Sequence, residues 1–253
     1  MTWVSQPRER ARLIRIISRI AKAIYLVVNP QFPMESTKRP SVKAYQRLLP
    51  LGAMALFVVF YLLAACRYPG GSWVEPGREG FSFRYNYLCD LLDTRAVGGA
   101  VNAGRYWARA SLGVLCAGLC YLWVYLPALA GGPSWNRHLM RASALAALLT
   151  MVFLTAGTHD LTVRIAGGFG GLALVSAIAG LWQGGRRGTA LFGAWCLAVF
   201  LLNYALYESG SYLRALPLIQ KVTFLSFIGW FAWLDLALYR YCRMQGVADE
   251  LMP

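Results

Sequence analysis

An amide and two carboxylates at helical spacing are the first residues of this chain with chemistry to offer. Asn86, Asp90 and Asp93 lie in the segment Gly80-Phe-Ser-Phe-Arg-Tyr-Asn-Tyr-Leu-Cys-Asp-Leu-Leu-Asp93. If Tyr85 to Asp93 is a short helix, these three share a face and Leu88, Leu91 and Leu92 lie opposite, free to dock on a bundle. Two carboxylates one turn apart can coordinate a hard cation, clamp a cationic group or move protons. The plainer role is helix capping, or pairing with Arg84 and Arg95, which is weak at a surface.

His159-Asp160 is the second constellation. Arg164 follows Asp160 at i+4 and can pair with it on a helix. Histidine titrates most readily near neutral pH, so His159 is the best general base in the chain. The plainer reading is a turn His beside a capping Asp. A third set comprises Asn203 with Tyr207, and Tyr204 with Glu208, each at i, i+4, followed by Arg214 and Lys221. Asn203 and Lys221 fall inside apolar runs, where polar side chains need partners within the protein. Asp235 does too, five residues before Arg240. A pair with that Arg is the simpler reading of it, and a proton relay the sharper one. The candidates for catalysis are therefore His159, Asp160, Asp90 and Asp93. The candidates for ligand binding are these four with Asn86, Asn203, Glu208 and Lys221.

The elements that must position these residues are six apolar runs: 48–66, 108–130, 142–158, 161–183, 189–207 and 218–239. Each approaches the roughly 20 residues that cross a hydrocarbon core of about 30 Å. Only helices satisfy their backbone groups in lipid without an open sheet edge. The expected fold is an all-α, polytopic membrane helix bundle of about six transmembrane helices. Its least certain boundary is the break at His159-Asp160, so five or seven spans are alternatives. Composition agrees: of 253 residues 58% are hydrophobic and only 14% charged, with a mean hydropathy of +0.46.

Before the bundle, Arg8, Arg12, Arg15, Arg19 and Lys22 form a basic stripe opposite Leu13, Ile14, Ile17 and Ile20. That pattern fits an amphipathic interfacial helix; a poorly structured tail is the alternative. The divisions are thus a basic segment 1–45, a bundle 46–241 with a long loop 67–107, and a tail 242–253. The start at Met1 or at Met34 is left open, and no cleavable signal peptide is evident.

Lys and Arg set the orientation. Ten lie in residues 1–47, and Arg137, Arg141, Arg186, Arg187, Arg240 and Arg243 fall on the same side, making 16 of the 25. Both termini are thus expected in the cytoplasm of a bacterial cell, with the long loop outside. The net charge of +14 sits at span ends. It points to anionic lipid headgroups as partner, at roughly 1 kcal/mol per charge, and away from nucleic acid. Two histidines and six cysteines without paired spacing give no zinc ligand set, and no cofactor is expected. Cys66 and Cys89, both on the loop side, leave a disulfide open.

The loop motif resembles a bacterial family of uncharacterised membrane proteins, the domain of unknown function 998. The resemblance rests on Gly80-Phe81-Ser82-Phe83 and Asn86-Tyr87-Leu88-Cys89-Asp90-Leu91, with Asn102 following. It departs at Cys89 and at Leu92-Asp93, where the family pattern has Ser and Gly. It implies six or seven helices and no established activity. Three functions stay open: binding or moving a small molecule or lipid at an outward polar pocket, hydrolysis or transfer on a lipid-linked substrate, and a structural, partner-binding role. The second would use His159, Asp160, Asp90 and Asp93, but two histidines are few for a metal hydrolase.

Overall fold

The computed structural model describes residues 44–151, 159–210 and 212–251. The expected interfacial helix lies outside these residues. Among the described residues six α-helices follow one another: α1 Leu49–Cys66, α2 Arg105–Tyr125, α3 Ser134–Met151, α4 His159–Gln183, α5 Arg187–Ser209 and α6 Leu216–Leu251. No β-strand occurs among the described residues, and the fold is the expected helical bundle. Among the described residues five helical segments are long and apolar enough to cross a membrane: Gln46–Cys66, Arg105–Leu129, Leu161–Gln183, Arg187–Ser209 and Leu216–Gln245. The chain is a multi-pass membrane protein.

The helix at the third apolar run begins at Ser134, eight residues before that run. Its first two turns, Ser-Trp-Asn-Arg-His-Leu-Met-Arg, are polar. They are anchored by Asn136, which donates its amide to the Ser176 carbonyl at 3.0 Å. The last helix also exceeds expectation. It continues to Leu251, through most of the segment assigned to a tail.

Consecutive helices pack as antiparallel hairpins, tightest in α1–α2 and α3–α4, and α6 returns to α1 to close the bundle. Van der Waals fit, not water exclusion, holds such helices together in lipid. Small residues supply it. Gly167 and Gly171 sit against the Phe200 ring of α5, which agrees with a packing role for that glycine-rich run. Fully buried Trp230 anchors the centre. Its indole N–H donates to the Thr189 carbonyl at 2.8 Å, and its ring lies 6.4 Å from that of Trp123. Asp235 is buried too, but it does not pair with Arg240. Its Oδ2 accepts the Leu51 N–H at 3.2 Å, satisfying one of the orphan donors at the start of α1.

The loop joining α1 to α2 is ordered and folds over one end of the bundle as a cap. Gly70 and Gly71, at φ +140° and +88°, turn the chain back on itself. Gly71 N–H then donates to the Arg78 carbonyl at 2.7 Å. Phe81 plugs the cap into the bundle, edge-on to Tyr61, Tyr68 and Phe83. At the loop's far end Gly104 touches α1 so closely that a Cβ there would collide with the Ala64 carbonyl oxygen. Gly104→Ala is therefore expected to destabilise the α1–α2 hairpin by about 1–3 kcal/mol, read as an earlier unfolding transition in detergent. An unchanged transition would show that the contact yields without cost.

Candidate functional site

Cap geometry starts from Asn86, which is fully buried. Its Oδ1 accepts the Ser82 N–H at 2.9 Å. Its Nδ2 donates to the Gly71 carbonyl at 2.7 Å and to Asp90 Oδ2 at 2.9 Å. The same Asp90 oxygen accepts the Tyr87 N–H at 2.9 Å. Asn86 and Asp90 thus meet at i, i+4 as expected, but not on an α-helix. Only Cys89–Leu92 is helical here, a 3₁₀ turn, and Asp93 follows it in extended backbone. The expected common face with Asp93 is therefore absent. Asp93 contributes its main-chain carbonyl, which accepts from Asn102 Nδ2 at 3.0 Å. Leu91 packs inward, fully buried against Ala64, Tyr68 and Ala108, so the expected docking of these leucines holds there.

The last helix reads the cap through its main chain. Lys221 donates to the Asn86 carbonyl at 2.6 Å and to the Pro217 carbonyl at 3.1 Å. Gln220 Oε1 accepts the Leu88 N–H at 2.8 Å. Lys221 thus has its partner within the protein, as its position in an apolar run requires. Arg84 and Arg95 do not take the carboxylates: Arg84 lies over the Tyr85 ring and Arg95 donates to the Gly99 carbonyl.

The remaining candidates belong to α4 and α5. Glu208 at the end of α5 pairs with Arg164 of α4 at 3.1 Å, the partner expected for Asp160. Asn203 is on α5, with its Nδ2 buried and without a hydrogen-bond partner among the described residues. His159 and Asp160 open α4, and their side chains lie outside the described residues. Among the described residues no three His, Cys, Asp or Glu side chains are grouped as metal ligands.

Beside the buried network lies an open cleft of about 470 Å³ between the cap and the α5–α6 turn. Trp73, Val74, Tyr85 and Tyr87 line it from the cap, and Leu213, Arg214 and Pro217 from the other side. The network sets two of these walls. Tyr85 N–H donates to Ser82 Oγ at 3.3 Å, and Tyr87 N–H to Asp90.

No family model, no curated protein and no solved structure matches this chain.

Residue patterns missed several participants. Asn102, fully buried, donates to the Leu91 and Asp93 carbonyls and accepts from Gly104 N–H. Gln220, which accepts the Leu88 N–H, was not among the candidates. The cleft had no local signal, because its walls come from segments more than a hundred residues apart.

Burial raises the Asp90 pKa above its ordinary 3.8. The bonds from Asn86 and Tyr87 oppose this, Asp93 adds to it, and Lys221 offsets it slightly. Burial also pushes the Cys89 thiol up to about 12, with Asp90 and Asp93 adding to the effect. Cys89 is thus a poor nucleophile. Cys66 and Cys89 are both free thiols, so no disulfide staples the cap.

Two outcomes follow. In a chain retaining Cys89 as its single cysteine, Asn86→Ala strands the Ser82 N–H, at about 1–3 kcal/mol, and leaves the Gly71 carbonyl only the 3.4 Å bond from the Tyr68 hydroxyl. Maleimide labelling of Cys89 should then accelerate at least tenfold; an unchanged rate would rule out Asn86 as the cap's anchor. The second concerns pH. A raised folded-state pKa means that the closed cap binds the Asp90 proton more tightly than the opened loop. Closure is thus favoured below 3.8 and loses that contribution as pH rises through the raised value. Hydrogen exchange of residues 82–90 should speed up, beyond its intrinsic pH dependence, over that window. Asp90→Asn should flatten the trend, and a trend surviving in Asp90→Asn would assign it elsewhere.

Proposed function

We propose that this multi-pass membrane protein binds a small molecule or lipid in the cleft under its cap, without chemical turnover. The cleft itself carries this reading: about 470 Å³ with three aromatic side chains and one cation converging on it. Pockets of this size and lining suit a ligand with an apolar body and a few polar groups. The bonding of Asp90 supports binding over catalysis, since its Oδ2 already accepts two hydrogen bonds that hold the cap.

With α3 taken as a sixth span beside the five apolar helices, the membrane is a bacterial inner membrane, with the cap outward and both termini cytoplasmic. The Lys and Arg distribution supports this. At the end away from the cap, Arg186 and Arg187 lie over the Tyr241 and Trp182 rings, positioned to meet anionic headgroups. The resemblance to the domain of unknown function 998 acquires a physical meaning under this reading. Ser82, Asn86, Asp90 and Asn102 of the motif are the residues that fold the cap, so relatives sharing the motif would share the cap.

Mass spectrometry of material extracted from the purified full chain tests the binding. Trp73→Ala with Tyr87→Ala should lower the co-purifying ligand several-fold while helix content is kept. The same ligand inventory in both proteins would sink the proposal.

A further inference from the structure

From the charges around the cleft, we infer that its ligand is a lipid with an anionic headgroup, recognised by Arg214. The inference rests on the cleft being a binding site. Among the described residues no Asp or Glu lines it. Arg214 is exposed and has no ion-pair partner among the described residues. The nearest carboxylate along the cap, Glu75, is held by Arg78 at 3.0 Å. Asp90 is buried and bonded to Asn86 and Tyr87, and the Lys221 ammonium is engaged by two carbonyls. Arg214 is therefore the cation left to meet a ligand, and guanidinium suits the planar, multidentate recognition of phosphate. The N-terminus of α6, whose Pro217 lines the cleft, adds the positive end of a helix dipole.

The apolar half of the ligand is argued from continuity. Leu213 is at the cleft, and Leu218, Val222 and Leu225 descend from it along one face of α6 at i, i+4 and i+7. They are 52%, 46% and 68% exposed, an open track for an acyl chain. Trp73 and Tyr212, 73% and 78% exposed, stand at the same end, as aromatic residues do at the headgroup level. A soluble anion would use the cation and leave the track empty. A lipid uses both.

The full chain in nanodiscs of phosphatidylcholine, with a trace of photoactivatable phosphatidylglycerol or photoactivatable phosphatidylcholine, supplies the test. Crosslinked peptides are mapped by mass spectrometry. Phosphatidylglycerol should label residues 73–87 and 212–217 in preference to phosphatidylcholine. Arg214→Ala should cut that preference about fivefold, the effect of one headgroup-level charge, and Arg214→Lys should restore most of it. Labelling around Arg186 and Arg187 should not change, which separates a lost site from a lost fold. Equal labelling by the two lipids would overturn the anionic assignment and leave ligand binding standing. Labelling no stronger at the cleft than along other lipid-facing helices would remove both. Displacement by excess inorganic phosphate would make it a site for a soluble anion and overturn the lipid assignment.

Discussion

One side chain amide, that of Asn86, organises the capped end of this molecule. Its three polar bonds reach three stretches of the cap, and the main-chain carbonyl of Asn86 receives Lys221 from the last helix. A buried amide with every bond made fixes its neighbours, because each broken bond would leave a polar group without water. Tyr85 and Tyr87 inherit their positions from this arrangement. Asn102 does the same at the other end of the loop, gathering two carbonyls and the N–H of Gly104. The 3₁₀ turn of Cys89–Leu92 is held between the two amides.

This division of labour changes how the polar residues are understood. A sequence with few ionisable groups in its apolar runs invites each one to be read as chemistry. Here Lys221, Asp90 and Asp235 each satisfy main-chain groups that the fold leaves open. Asp235 completes a helix start. Lys221 closes a loop onto a helix. The open cleft is instead lined by residues that looked ordinary in sequence, among them three aromatic rings and an exposed arginine.

The helical elements were legible because lipid permits few alternatives. Leu161–Gln183 is recovered to the residue as a spanning segment, and α1 differs from its expected run by one residue at its start. The third run was harder, since the polar turns beginning at Ser134 are helical through contacts with α4 that no local pattern reveals. Within the cap, the Asn86–Asp90 contact could be read from spacing. The conformation that produces it could not, because an i, i+4 pair meets in a tight loop as well as in a helix. The cleft depends on juxtaposing residue 73 with residue 214, and that information is spread over the whole fold.

The length of α6 has a mechanical side. Its 36 residues make a rod of about 54 Å at 1.5 Å per residue, against a hydrocarbon thickness of about 30 Å. Its first turns grip the cap, so the surplus of several turns stands clear of the bilayer on the opposite side. A tilt of the rod at one surface is transmitted to the other without any intervening joint.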